Sequence, residues 1–160
     1  MSKIQCLLQM FDETWSHQCE SLRSILRGVS SEESLWQSSA YAAESPMEGL
    51  PVPGTIRWHA AHLKHCARHY AEILRNRPLA HEPATPSPGN ADLAELINQL
   101  ERARRLLREE IQRLSEIDLD APCARGMNVG EFVRMAFRHE TWHAGQIAVV
   151  RRLYGRRNQT

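Results

Sequence analysis

The sequence of 160 residues lacks several features that would define whole classes of protein. It has no apolar run of about 18 residues, the length that marks a membrane-spanning helix. Its first fifteen residues include acidic side chains and no uninterrupted apolar segment of signal-peptide length. Its formal net charge is +1, and no basic stripe follows a helix face, which argues against binding to nucleic acid or acidic lipid. We therefore expect a cytoplasmic protein that binds neither nucleic acid nor membrane.

The cysteines are few and scattered along the chain. None of the four forms a CxxC pair, so the sequence suggests neither a disulfide framework nor a cysteine-based zinc site. Cys6, Cys19, Cys66 and Cys123 are expected to be reduced thiols, and Cys66 is the one most expected to be buried near a functional centre.

Apolar residues recur at helical spacing in four long stretches, and no stretch has the alternation of a strand. The first predicted helix runs from about Ile4 to Arg27, and a short one from Ser31 to about Tyr41. The second long helix is capped by Thr55 and ends before Pro78. The third starts at Asn90 and carries its apolar stripe to Leu114, and the last is capped by Asn128 and ends at Gly155.

The connections between these helices are rich in proline and glycine, at residues 44–54, 77–89 and 116–127. The chain is long enough for one substantial core. We therefore predict an all-α fold: a single domain over residues 1–160, formed by a four-helix bundle with a short extra helix between helices one and two.

The last helix interrupts its apolar stripe with groups that can bind metal. One face combines apolar residues with two histidines and a glutamine: Phe132, Met135, Ala136, His139, His143, Gln146, Ile147, Val150 and Leu153. Histidines four residues apart lie one above the other on a helix and can chelate one ion. The alternative is a pair of hydrogen-bonded core histidines, since buried polar groups need partners.

The segment HETWH also fits the HExxH pattern of zinc metalloproteases. Such sites need a third ligand further along the chain. The seventeen residues after His143 contain no Asp, Glu or His, so this interpretation fails. Any further ligand must come from upstream, where the second helix carries His59, His62, His65 and His69. His65 and His69 are expected towards solvent, whereas helical periodicity leaves His59 and His62 equally able to supply a third nitrogen.

WHAAH on the second helix and HETWHAGQ on the last resemble the DinB-like (DinB/YfiT) superfamily of metal-binding four-helix bundles. The resemblance covers nearly the whole chain in helix order and length. It implies that His62, His139 and His143 bind a divalent ion such as nickel, zinc or iron, with His59 as a neighbour. It also implies a homodimer in many cases, and some similar proteins look like thiol-dependent transferases or isomerases.

Three neutral imidazoles leave coordination positions for water or substrate, as in catalytic metal sites. We therefore expect a metal-dependent enzyme acting on an unknown small molecule. Gln146 and Glu140 are possible hydrogen-bond partners of the ligands or substrate, although Glu140 is expected first to face solvent or to pack against a neighbouring helix. No cysteine or serine is expected at ligand spacing beside the three histidines, so no catalytic nucleophile is assigned. The alternatives are a non-catalytic metal-binding stress-response dimer and, against the charge evidence, a DNA-related role.

Overall fold

The computed structural model describes residues 1–38, 52–78 and 91–157. Within these ranges the chain forms α-helices and no β-strand, so the all-α prediction is confirmed. None of the helices in this part of the chain is long and apolar enough to cross a bilayer. The helices are α1 (Lys3–Ser16), α2 (Leu22–Leu26), α3 (Ser31–Leu35), α4 (Ile56–Asn76), α5 (Leu93–Gln112) and α6 (Val129–Arg156), with a 3-10 turn (Ile117–Asp120) before α6.

The predicted continuous helix over residues 4–27 is wrong, because α1 ends at Ser16 and α2 begins at Leu22. The four residues that precede Ser21 are all exposed, so no apolar contact holds them in a helix. Ser21 caps α2 and also donates a hydrogen bond to the carbonyl oxygen of His17, at 2.6 Å. Such local bonds compete with helical hydrogen bonds, and the chain therefore turns here.

The two helices that carry the candidate ligands begin where the sequence predicts. Thr55 Oγ1 accepts a hydrogen bond from the backbone N–H of Trp58 at 3.1 Å, which caps α4. Asn128 and Glu131 form a reciprocal capping box at the start of α6. The apolar residues of each helix then determine which face points inwards.

Two other boundaries differ from the prediction. The cap of α5 is Asp92, whose carboxylate accepts from the third backbone N–H of the helix, whereas the predicted cap Asn90 lies outside the described residues. Helix α3 ends at Leu35, because the chain becomes extended at Trp36. Tyr41, the predicted end of this helix, lies outside the described residues, as do most of the connections 44–54 and 77–89.

The long helices pack against one another around two apolar clusters. Helix α4 packs along α5 and also contacts α6, while α1 contacts both α5 and α6. Along α6, one apolar cluster ends at Phe137 and the other begins at Ala144. The residues between them, 138–143, include buried polar side chains. A polar layer therefore separates the two halves of the core.

Candidate metal centre

Four histidines meet in this layer where α4 packs against α6: His59, His62, His139 and His143, here called the histidine cluster. His59 and His62 lie about one and two turns after the Thr55 cap of α4. His139 and His143 lie one turn apart at the middle of α6. His59 and His143 are almost completely buried, with 1% and 2% of their surfaces exposed, whereas His62 and His139 are half-buried. The cluster therefore has a closed end and a partly open end.

Three of these side chains bring their Nε2 atoms together. Nε2 of His139 lies 3.2 Å from Nε2 of His62 and 3.1 Å from Nε2 of His143. Imidazole nitrogens about 2.0–2.1 Å from a shared ion are separated by roughly 2.9–3.4 Å for bond angles between octahedral and tetrahedral values. Both distances from His139 are therefore those expected between nitrogen ligands of one cation.

Hydrogen bonding alone does not satisfy this arrangement. Each ring nitrogen of a neutral imidazole has either one N–H or one lone pair, so it makes one good hydrogen bond. Nε2 of His139 faces the Nε2 atoms of both His62 and His143 at hydrogen-bond distance. One of the two contacts must therefore lack a proper donor and acceptor. A cation removes the conflict, because it binds all three lone pairs at once.

His59 lies behind His143 and does not reach the other two rings. Its Nδ1 lies 2.8 Å from Nδ1 of His143. If His143 binds a cation through Nε2, its Nδ1 carries the proton and donates it to Nδ1 of His59. Such a bond orients the ring of a metal ligand and raises its basicity. The sequence left His59 and His62 as equal candidates, and the structure gives them different neighbours.

Burial keeps the cluster neutral. Together with the neighbouring imidazoles, it lowers the pKa of His143 to about 3 and the pKa values of His59 and His62 to about 4. Burial also lowers the pKa of His139, and the charge of Arg125 adds to that effect. The four rings are therefore uncharged near pH 7, the form in which histidine binds metal.

Two aromatic side chains of α4 hold the partly open end of the cluster. The Trp58 ring stacks on His62, with centroids 5.1 Å apart and an angle of 6° between the planes. The hydroxyl group of Tyr70 lies 3.4 Å from Nδ1 of His139, on the side of the ring away from the other histidines. The sequence predicted Tyr70 only as a core residue. The sequence signal that could have linked Tyr70 to the histidines is its position about two turns after His62 on the same helix.

Cys66 is a further neighbour, and here the expectation of no thiol at ligand spacing is wrong. Its Sγ lies 3.5 Å from Nε2 of His62, and His62, Cys66 and His139 form a group whose ligand atoms all lie within 4.8 Å of one another. Burial raises the pKa of the Cys66 thiol to about 11, so it is protonated when no cation is bound. The four-residue step from His62 to Cys66, equal to that from His139 to His143, could have revealed it.

Gln146 remains close to the cluster. It lies about one turn beyond His143 on α6, and its Oε1 is buried without a hydrogen-bond partner among the described residues. The Gln146 side chain is near enough to His143 to oppose the lowering of its pKa by burial. Gln146 is thus placed to orient His143 or to bind a further polar group.

Glu140 lies elsewhere, and of its two expected positions, facing solvent or packing against a neighbouring helix, the structure shows the second. Only 6% of its surface is exposed. One carboxylate oxygen accepts from Nε of Arg104 at 2.7 Å and the other from the Thr14 hydroxyl at 2.6 Å. These partners belong to α5 and α1, on a different side of α6 from the α4 histidines, because Glu140 is rotated about 100° from His139 on the helix. Glu140 therefore packs against neighbouring helices and is not a partner of the candidate ligands.

The expectation that His69 points towards solvent is also wrong, since it is buried. His65 is half-buried and takes no part in the histidine cluster. A groove of about 940 Å³ between α1 and α6 is lined by Met10, Trp142 and other residues, and none of the cluster histidines lines it.

The helices and the histidine cluster together define a class: an all-helical protein with a candidate metal centre between two helices. A family model described as the DinB superfamily matches residues 11–147, which include all four histidines of the cluster. The chain belongs to the DinB superfamily, and the resemblance inferred from its motifs is confirmed. Members of this superfamily generally bind divalent metal ions. No curated protein and no solved structure matches the chain.

Proposed function

We propose that this protein binds one divalent metal ion through the Nε2 atoms of His62, His139 and His143. The observation that carries the proposal is that Nε2 of His139 lies 3.2 Å from Nε2 of His62 and 3.1 Å from Nε2 of His143, distances that suit shared ligation and leave one hydrogen-bond conflict without a cation. His59 orients His143 from the buried side. Neutral imidazoles suit nickel, zinc and iron better than magnesium or calcium, which prefer oxygen ligands.

The architecture proposed for the site is a DinB-like four-helix bundle built from α1, α4, α5 and α6. The packing of α4 on α5 and α6, and of α1 on α5 and α6, supports it. We further propose that the whole chain is one domain, that it forms a homodimer and that it acts in the cytoplasm. The homodimer rests on the family resemblance, and the cytoplasmic location rests on the scattered, free cysteines.

We propose that the site is catalytic and that its substrate is a small molecule. When bound by three neutral nitrogens, the ion retains coordination positions at which it can polarise an oxygen or lower the pKa of a bound water or thiol. The protein supports this chemistry by leaving His62 and His139 half-buried, so that this end of the cluster is open to a substrate. The reaction classes to test are thiol-dependent transfer, isomerisation and hydrolysis.

The alternative is a non-catalytic metal-binding stress-response dimer, in which the ion joins α4 to α6. The observation that favours it is the separation of the groove between α1 and α6 from the histidines, since a catalytic centre normally lies in a concave pocket. The two functions differ in a measurable way. A catalytic site exchanges a bound water for an added anion or thiol, and a closed structural site does not.

The first test is a zinc or nickel titration of purified wild-type protein followed by calorimetry. His62→Ala, His139→Ala and His143→Ala should each weaken binding by more than 100-fold, beyond the roughly 10–100-fold effect of removing a partner of a ligand. His65→Ala is the matched control, because His65 lies on α4 outside the cluster, and its affinity should equal that of wild type. If any of the first three variants binds the metal with wild-type affinity, the histidine substituted in that variant is not a ligand.

The second test separates the catalytic from the structural function. Metal-free and metal-loaded protein are compared in assays of thiol transfer, isomerisation and hydrolysis of small molecules. Turnover that requires the ion and disappears in His143→Ala supports an enzyme. Full metal loading without turnover, together with no spectral response of the cobalt form to added thiol or azide, supports the structural alternative.

A further inference from the structure

Cys66 lies at the edge of the histidine cluster, and the proposed three-histidine site does not use it. It follows His62 by four residues on α4, so its side chain lies one turn further along the same face of the helix. It is a free thiol, half-buried like His62 and His139, and therefore belongs to the partly open end of the cluster.

Its distances suit a metal ligand. A nitrogen about 2.0–2.1 Å and a sulfur about 2.3 Å from one zinc ion are separated by roughly 3.1–3.6 Å for the usual bond angles. The Cys66 Sγ lies 3.5 Å from Nε2 of His62, within this range. The ligand atoms of His62, Cys66 and His139 all lie within 4.8 Å of one another, so the sulfur lies close to the imidazole nitrogens of His62 and His139.

A hydrogen bond from the Cys66 thiol explains the contact between Cys66 and His62 less well than a shared cation does. The single lone pair of His62 Nε2 would have to accept from Cys66 while the same atom also faces Nε2 of His139 at 3.2 Å. A shared cation satisfies the sulfur and both nitrogens together. Two of these three atoms, Nε2 of His62 and Nε2 of His139, also take part in the conflict within the histidine site.

We propose that the Cys66 thiolate is the fourth protein ligand of the ion, which gives a site of three nitrogens and one sulfur. The inference rests on the proposed function, since it requires the histidine site to bind a metal. On binding, the thiol loses its proton to solvent and a metal–sulfur bond forms, with no change of oxidation state. A thiolate ligand favours zinc, cobalt or nickel over magnesium and manganese.

This ligand changes how a substrate reaches the ion. Three nitrogens and a sulfur complete a tetrahedral shell, which is typical of closed structural sites. A substrate must therefore displace the Cys66 thiolate or add as a fifth ligand. An external thiol carries the same donor atom as Cys66, so it is the class of small molecule best suited to exchange with it.

Cobalt absorption tests the inference directly. Wild-type protein, Cys66→Ser and the control Cys6→Ser, which removes a half-buried thiol of α1, are loaded with cobalt(II). We expect the visible cobalt bands in all three proteins. We expect a near-ultraviolet sulfur-to-cobalt charge-transfer band in wild type and Cys6→Ser, and its complete loss in Cys66→Ser.

The outcomes separate the two proposals. Visible bands without a charge-transfer band in wild type would overturn the role of Cys66 and leave the histidine site standing. No cobalt absorption in any of the three proteins would overturn both. Should Cys66→Ser fail to fold, the rate of alkylation of Cys66 in wild-type protein is measured with and without zinc. Zinc should slow this alkylation by about tenfold or more, because a metal-bound thiolate is shielded. An unchanged rate would overturn the inference.

Discussion

His139 and Glu140 are neighbours on α6, and each belongs to a polar cluster in the layer between the two apolar halves of the core. Glu140, Arg104 and Thr14 form the arginine–glutamate cluster on the side of α1 and α5. His139 belongs to the histidine cluster on the side of α4. The two clusters share a helix and a depth, yet they differ in whether their polar atoms find partners within the protein.

The arginine–glutamate cluster is satisfied by its own residues. Both carboxylate oxygens of Glu140 accept hydrogen bonds, and Arg104 also donates to the Phe11 carbonyl oxygen at 2.7 Å. The guanidinium group lies 4.1 Å from the centre of the Phe11 ring and 4.9 Å from that of Trp15. In the histidine cluster, three Nε2 atoms converge without enough donors. A satisfied buried network stabilises a fold, and one with converging lone pairs is a place for a cation.

The largest effect should follow from breaking the satisfied cluster. Glu140→Ala leaves the Arg104 charge buried without its partner, which should lower the free energy of unfolding by about 3–5 kcal/mol. Urea denaturation of the metal-free protein measures this loss. As a control, Arg104→Met combined with Glu140→Leu removes both charges and should restore much of the stability. A loss below about 1 kcal/mol in Glu140→Ala would contradict the assignment of this cluster as structural.

Removing a histidine should instead act through the ion. Wild-type protein should gain about 2.7 kcal/mol in free energy of unfolding when zinc is present at 100 times its dissociation constant. His139→Ala should gain almost nothing at the same zinc concentration, and its metal-free stability should fall far less than that of Glu140→Ala. Denaturation with and without zinc provides the measurement. An equal zinc-induced gain in His139→Ala and wild type would exclude His139 as a ligand.

His59→Phe should have a smaller effect on the same cluster. The ring fills the buried space but no longer accepts the hydrogen bond from Nδ1 of His143, at 2.8 Å in the structure. Loss of such a partner typically weakens metal binding by about 10–100-fold. Zinc calorimetry measures the change, with His65→Ala as the unaffected control. Complete loss of binding would instead make His59 a ligand in its own right.

The smallest effect is expected for a polar pair outside the layer. Arg108 forms two-pronged hydrogen bonds with Asp12 at 2.9–3.2 Å, but about 40% of each side chain is exposed, 39% and 42% respectively. Asp12→Asn should therefore cost less than about 1 kcal/mol and leave zinc affinity unchanged. Urea denaturation at low and high salt provides the measurement. A loss as large as that of Glu140→Ala would mean that burial does not separate the two ion pairs.

Much of the fold follows from local patterns in the sequence. The caps Thr55 and Asn128 and the apolar periodicity of α4 and α6 predicted where these helices begin. The break after Ser16 was missed, because Trp15 and Leu22 keep helical phase across residues that turn away. Apolar periodicity records which residues are buried, and it does not record whether the chain between them remains helical.

The site, too, could be predicted from the sequence only in part. The spacing of His139 and His143 predicted that they could meet, whereas the choice between His59 and His62 depends on the rotation of α4 against α6. Glu140 was expected to face solvent or to pack against a neighbouring helix, and its partner Arg104 was not predicted because it lies 36 residues away, where no local pattern reveals such a pair. Cys66 was expected near a functional centre but not as a ligand, although its four-residue spacing from His62 is visible in the sequence.

The central claim is that His62, His139 and His143 hold a divalent ion, and elemental analysis tests it most directly. Protein purified without added metal or a histidine tag is measured beside the His143→Ala variant. We predict near-stoichiometric nickel, zinc or iron in wild type and its loss in the variant. No metal in either protein, and no uptake after adding nickel, zinc or iron, would contradict the claim and leave the four histidines as hydrogen-bonded core residues.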